Sequence, residues 1–192
     1  MRDRDVRVAV RRWLDMLHAG DENTRVVEEM GIWAGSVRID VAVINGELHG
    51  FELKSARDTL GRLPGQASLY SEVFDRVTLV TAEKHLEKAA GLVPNWWGLS
   101  RAIGDSEVQI DHVRVPERNP NPNLLQVARL LWRAEMADIL ELHGLIRGVK
   151  SKPADILAHR LAAELPADLL RFEVRAALKA RQNWLRQAVA HQ

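Results

Sequence analysis

Residues 37–54 read VRIDVAVINGELHGFELK, two alternating apolar segments that meet at Asn45-Gly46. Period-two alternation rich in β-branched residues predicts a half-buried strand on each side of the turn. Asn-Gly between two such segments is a strong hairpin signal. The sequence therefore predicts a β-hairpin, and its register decides which charged side chains share a face.

The length of the hairpin loop sets that register. A two-residue loop pairs Ile44 with Glu47 and turns Asp40 and Glu52 to opposite faces. A three-residue loop pairs Ile44 with Leu48 and Asp40 with Glu52, which keeps the apolar side chains together. Because a one-residue slip moves every side chain to the other face, we predict the three-residue loop. The predicted apolar face holds Val37, Ile39, Val41, Val43, Phe51 and Leu53.

The opposite face of the hairpin carries Asp40, Glu52 and Lys54. Paired residues have Cβ atoms roughly 4.5–5.5 Å apart, so the two carboxylates repel unless a cation lies between them or one is protonated. Oxygen ligands suit Mg²⁺ or Mn²⁺, and Lys54 could orient an attacking water. The alternative is a surface hairpin with three solvated charges.

Two flanking segments carry further polar candidates. Residues 24–30 predict a helix with Glu29 beside its apolar stripe and Glu28 further round. Either could add a carboxylate, and we prefer Glu29; two solvated glutamates are the alternative. Residues 66–74 predict another helix, which places Gln66 and Tyr70 on one face. Both could donate hydrogen bonds to a phosphate or a bound water, or be an ordinary surface residue and a core-edge aromatic.

The order of these elements, across residues 23–82, resembles the PD-(D/E)XK nuclease superfamily, in the branch with a Gln-x-x-x-Tyr helix as in RecB-type nuclease domains. The resemblance implies an α/β fold with a restriction-endonuclease-like core: a helix, a mixed sheet with the D…ExK hairpin, a helix and a strand, followed by C-terminal helices. It also implies roles for the polar residues. Metal would be ligated by Glu29, Asp40 and Glu52, catalysis would use Asp40, Glu52 and Lys54, and substrate-binding or supporting roles would fall to Gln66, Tyr70 and Arg38.

The function implied is a Mg²⁺- or Mn²⁺-dependent deoxyribonuclease in which a metal-bound water attacks phosphorus. The alternative is a non-catalytic nucleic-acid-binding or assembly module on the same fold. Ile39 precedes Asp40 where the superfamily loosely keeps proline, a departure we discount. The absence of cysteine excludes the thiolate-held iron–sulfur cluster of some relatives. No glycine-rich phosphate loop or G-x-S-x-G elbow supports another class of enzyme.

Composition points to a cytoplasmic protein. The chain has 192 residues, enough to bury a core, and its lack of cysteine fits a reducing compartment. It shows neither an apolar leader nor an apolar run long enough to span a bilayer, so we expect no membrane association.

Positive charge concentrates in the C-terminal part. Residues 1–122 hold 16 lysines and arginines against 19 acidic residues, whereas residues 123–192 hold 11 against 7. A basic helical region could contact the DNA backbone, although basic residues near helix ends are also common for helix stability. We predict a nuclease core over residues 1–116, a proline-rich linker over 117–123 and a helical region over 124–192. The helices could clamp DNA, pack on the core or form a homodimer.

Overall fold

The computed structural model describes residues 1–32, 37–104, 107–182 and 184. They form a six-stranded mixed sheet with helices on both faces. The helices are α1 (Asp3–Leu17), α2 (Leu63–Ser71), α3 (Leu86–Ala90), α4 (Leu124–Ala128), α5 (Arg133–Leu142), α6 (Ala154–Glu164) and α7 (Ala167–Ala180). The strands are β1 (Arg25–Ile32), β2 (Val37–Ile44), β3 (Leu48–Lys54), β4 (Arg76–Ala82), β5 (Gly98–Ile103) and β6 (Gln109–Arg114). A 3-10 turn, Glu83–His85, precedes α3.

The strands lie in the sheet in chain order, from β1 to β6. The outer pairs β1–β2, β2–β3 and β5–β6 are antiparallel, whereas β3, β4 and β5 run parallel. Helix α2 makes the crossover between β3 and β4, as parallel strands require. This mixed α/β architecture with C-terminal helices confirms the coarse fold prediction.

The hairpin has the predicted three-residue loop. Ile44 pairs with Leu48, and the ladder continues in that register to Val41 and Phe51. Asn45 closes the loop, since its side chain accepts the Glu47 N–H at 3.0 Å. The predicted register is therefore confirmed from Ile44 and Leu48 to Val41 and Phe51, whereas the predicted pair of Asp40 and Glu52 is not part of this ladder.

The helix predicted over residues 24–30 is wrong, because these residues form most of β1. They pair with β2 from Arg25↔Ile44 to Ile32↔Val37. Val26 and Val27 are β-branched and fit a pleated surface. Pairing with β2 thus overrides the helix-like spacing.

Two apolar clusters cover the two faces of the sheet. The smaller one joins α1, through Val6, Val10 and Leu14, to β2, β3, β4 and β5. The larger one joins the opposite face to α2 and to the C-terminal helices. The predicted single apolar face is therefore divided: Val41, Val43, Phe51 and Leu53 lie in the smaller cluster, and Ile39 and Val37 in the larger.

Midway along β1 and β2, the alternation of side chains between the two faces of the sheet is interrupted. Val27 and Met30 lie in the same cluster although they are three residues apart, and so do Ile39 and Ala42. In a regular strand such residues point to opposite faces. The change falls at Glu29, whose φ of 51° is left-handed, and so at the end of the sheet where the polar side chains gather.

The segment 117–123 is held against the end of α2. The Asn119 amide group donates to the carbonyls of Ser71 and Phe74 at 2.6 and 2.8 Å, and its N–H donates to Asp75 O at 2.8 Å. Asp75 Oδ2 also accepts Leu48 N–H at 2.8 Å and lies 3.7 Å from Arg175 Nη1. Asp75 therefore connects the hairpin, this segment and α7.

Trp97 is a packing residue. Its ring is fully buried and stacks on Tyr70 at 6.2 Å between centroids. Its indole N–H donates to Ser71 Oγ at 3.3 Å. Its contacts are thus those of the core.

Candidate functional site

A polar cleft of about 630 Å³ lies where β2 and β3 leave the ladder, facing the start of α2. It brings together all the residues that the sequence analysis singled out except Tyr70, which lies just beneath it. Its polar lining consists of Asp3, Glu29, Arg38, Asp40, Glu52, Lys54, Asp58, Arg62 and Gln66.

Glu52 is the buried centre of the site, with 1 % of its surface exposed. Its Oε1 accepts hydrogen bonds from Lys54 Nζ at 2.5 Å and from Gln66 Nε2 at 2.7 Å. Its Oε2 lies 2.9 Å from the Tyr70 hydroxyl. Burial, reinforced by the charge of Asp40, raises the pKa of Glu52 to about 7 against the opposing effect of Lys54. The carboxyl group is thus poised between its neutral and charged forms near neutral pH.

The spacing of the sequence explains this convergence. Glu52 and Lys54 are two apart on β3 and share a face. Gln66 and Tyr70 are four apart on α2 and share the helix face toward β3, as predicted.

Tyr70 mediates between Glu52 and the backbone of β2. Its hydroxyl lies 2.7 Å from Arg38 O and 2.9 Å from Glu52 Oε2. A phenol has one proton to donate, so it serves one of these acceptors at a time. Burial and the neighbouring Glu52 raise the pKa of Tyr70, which keeps it a neutral donor.

The side chain of Asp40 accepts a backbone hydrogen bond at the end of the hairpin. The pairing of β2 and β3 ends at Val41 and Phe51, and beyond it Asp40 Oδ2 accepts the Leu53 N–H at 2.8 Å. Burial raises the pKa of Asp40, and the bonds from Leu53 and Arg7 oppose that shift. The side chain is thus fixed by both its backbone neighbour and a cation.

That cation, Arg7 of α1, was missed by the sequence analysis. Its Nη2 lies 2.8 Å from Asp40 Oδ1, 2.9 Å from Glu29 Oε1 and 3.5 Å from Asp3 Oδ2. Arg7 follows Val6 and precedes Val10 by three residues, so it flanks the apolar stripe. This position beside the apolar stripe was the one feature of the sequence that could have indicated a contact with the sheet.

Glu29 reaches the cleft from a strand rather than from a helix. The β1–β2 register places it opposite Asp40, and its left-handed backbone directs it there. Glu28 lines the outer groove along α1 instead, 3.5 Å from Arg11. Of the two glutamates, Glu29 is the one that lines the cleft, as preferred from the sequence.

The donor set does not fit a divalent cation as it stands. All four carboxylate oxygens of Asp40 and Glu52 accept bonds from protein groups, and the cations Arg7 and Lys54 supply part of them. Among the described residues, no group of three or more histidines, aspartates or glutamates is arranged to hold an ion. Mg²⁺ or Mn²⁺, and the catalytic and ligand roles assigned to these residues, stay predictions.

Comparison with known proteins decides the family. The family model described as "Bacteriophage P4 protein cII" matches residues 1–191, nearly the whole chain. The chain belongs to the bacteriophage P4 protein cII family. It is 28 % identical over 146 residues to "Protein cII" of Enterobacteria phage P4, a match that covers 76 % of the chain. The chain spans about half, 55 %, of that relative's length. No solved structure matches.

This family overturns the resemblance and the function that it implied. The chain is not a member of the PD-(D/E)XK superfamily, and the predicted function as a metal-dependent deoxyribonuclease, hydrolase or endonuclease is wrong. The alternative, a non-catalytic module on the same fold, is not a clear match either. The residues of the D…ExK pattern here form internal ion pairs: Asp40 with Arg7, and Glu52 with Lys54. A short sequence motif does not distinguish such ion pairs from a metal site.

No helix in the described part of the chain is both long and apolar enough to cross a membrane.

Proposed function

We propose that the chain is a phage regulatory protein that acts in the cytoplasm by binding DNA. The observation that carries the proposal is a cationic loop, residues 143–153, between α5 and α6. It holds Arg147, Lys150 and Lys152 and no acidic residue. All three basic side chains belong to exposed residues. Lys150 Nζ lies 3.6 Å from Glu141 Oε1, an exposed ion pair of the kind that contributes little to stability, so all three side chains are accessible to phosphate groups. Membership of the protein cII family is compatible with such a role.

Two glycines of this basic loop and an arginine of α5 stabilise the conformation of the loop. Gly144 and Gly148 have φ of 71° and 81°, values that favour glycine. Arg133, at the start of α5, donates to Lys150 O at 2.6 Å and to Lys152 O at 3.2 Å. A pre-ordered cationic loop loses less conformational freedom when it binds, which favours phosphate contacts.

Other basic residues of the C-terminal region serve the fold. Arg175 faces the buried Asp75, and Arg129 pairs with Asp155 at 2.5 Å. Arg186 lies outside the described residues. The basic loop is therefore the better supported DNA contact within the basic C-terminal region.

The test is binding of a labelled DNA duplex, followed by fluorescence anisotropy over a range of salt concentrations. Each phosphate contact releases about 0.9 counterion, so Lys150→Glu/Lys152→Glu should lower the salt slope by roughly two and weaken binding. The matched control is Lys84→Glu/Lys88→Glu, which makes the same charge change on exposed residues near α3. Equal effects of both variants would show a general charge effect and contradict the proposal.

A homodimer is the second part of the proposal. Leu142 and Phe172 are 71 % and 60 % exposed, and their neighbours His143 and Glu173 are in contact, with Nε2 and Oε1 2.8 Å apart. Two large apolar side chains thus lie beside the basic loop. Pairing of two copies across them would align two basic loops on one duplex.

A further inference from the structure

The cleft contains its own positive charge. Arg7 Nη2 is within 3.5 Å of one carboxylate oxygen each from Asp3, Glu29 and Asp40, and Nη1 donates to Asp40 O at 3.1 Å. These carboxylates come from α1, β1 and β2, so a single guanidinium joins three elements. Of the two other carboxylates of the cleft, Glu52 is paired with Lys54, and Asp58 accepts bonds from the Ser55 N–H and hydroxyl at 2.7 and 2.6 Å.

The backbone of β1 is adapted to this contact. Among the described residues, Glu29 is the one non-glycine residue with a positive φ. Such a conformation is unfavourable for a glutamate and persists where its surroundings hold it. In this conformation Glu29 Oε1 lies 2.9 Å from Arg7 Nη2, so the ion pair stabilises the position of the side chain.

The position of Arg7 conflicts with metal binding at the same carboxylates. A divalent cation and a guanidinium repel each other and need the same oxygens. Arg7 is anchored from behind, because Val6 and Val10 of the same helix are fully buried against the sheet. The start of the Arg7 side chain is therefore held beside these carboxylates.

We propose that Arg7 is the resident cation of the Asp3, Glu29 and Asp40 carboxylates, and that it excludes divalent metal from Asp40 and Glu29. Helix α1 acts as an internal block over these carboxylates. A divalent ion binds them only when Arg7 is removed or displaced. The inference concerns the cleft alone and does not depend on DNA binding by the basic loop.

The experiment uses Mn²⁺ as the probe on the full chain, with affinity measured by electron paramagnetic resonance and Tm measured in parallel. The wild-type Tm should not change with Mn²⁺. Arg7→Gln should have a lower Tm that Mn²⁺ partly restores, with an affinity at least roughly tenfold above that of the wild type. Arg11→Gln is the matched control, because Arg11 lies on the same helix and pairs with the exposed Asp15 and Glu28.

Two further variants keep the test decisive. Arg7→Lys retains the charge and should bind Mn²⁺ no better than the wild type. Arg7→Gln/Asp40→Asn removes both partners and should lose the gained affinity. Tight Mn²⁺ binding by the wild type that Asp40→Asn abolishes would overturn the proposal, even if Arg7→Gln failed to fold. A folded Arg7→Gln without gained affinity would also overturn it.

Discussion

Lys54 Nζ lies 2.5 Å from Glu52 Oε1, and both side chains are almost completely buried, with residue exposures of 5 % and 1 %. The desolvation cost of such a pair is large, so its net contribution to stability is small while both partners are present. The cost appears when one partner is removed. This asymmetry makes the pair a sensitive probe of the site.

We expect Lys54→Met to lower the free energy of unfolding by about 3–5 kcal/mol, because it leaves a buried carboxylate without its cation. Glu52→Gln/Lys54→Met should recover much of that loss, since it removes both charges. Urea unfolding measures both variants. If the double variant is as unstable as the single one, the two side chains are not coupled.

The raised pKa of Glu52 predicts a pH dependence of stability. The pKa is about 7 in the folded protein against an ordinary 4.5, so folding favours the protonated form. The contribution to stability is complete below pH 4.5 and is lost as the pH rises through 7, on the order of 3 kcal/mol. Unfolding curves from pH 4.5 to 8 should show this fall in the wild type. Glu52→Gln should flatten it, whereas the exposed Glu87→Gln should not.

The C-terminal helices should unfold together with the sheet. Leu161 of α6 and Leu63 of α2 are both fully buried and belong to the same apolar cluster. Replacing either by alanine should cost about 2–5 kcal/mol in one cooperative transition. Tryptophan fluorescence and far-ultraviolet circular dichroism should then give the same midpoint. Separate transitions for the two probes would show that residues 124–192 fold independently.

Arg181 should be irreplaceable by lysine. Its guanidinium lies 4.1 Å from the Trp132 ring centroid and 4.6 Å from that of Trp184, and it donates to both oxygens of Glu135. Lysine cannot reproduce this planar, two-pronged geometry. We expect Arg181→Lys to lower the free energy of unfolding by about 2 kcal/mol or more. The exposed Arg147→Lys should leave it unchanged.

If the chain forms the proposed homodimer, disrupting the apolar contact should halve the mass of the particle in solution. Leu142→Glu/Phe172→Glu should convert a dimer to a monomer in sedimentation velocity without changing the unfolding midpoint extrapolated to low concentration. Ile103→Glu/Val113→Glu, on exposed residues of β5 and β6, is the matched control. A wild-type chain that sediments as a monomer at all concentrations would exclude this dimer.

The hairpin could be predicted because its alternation is regular and one slip would expose an apolar face. β1 could not be predicted. Because its backbone turns at Glu29, Val27 and Met30 face the same apolar cluster although they are three residues apart, and this spacing also suits a helix. The cleft residues on β3 and α2 were found through local spacing. Arg7 was missed because it reaches Asp40 across 33 residues of chain, a contact that no local pattern reports.

Asp75 connects segments of the chain that are far apart in sequence. It exchanges hydrogen bonds with Leu48, accepts the Asn119 N–H and faces Arg175, so one side chain and its backbone join positions that span 127 residues of sequence, from 48 to 175. Contacts between such distant residues form late in folding, because the loops between them must close first. Deuterium exchange at the Leu48 and Asn119 amides should therefore report the docking of α7, although neither residue belongs to that helix.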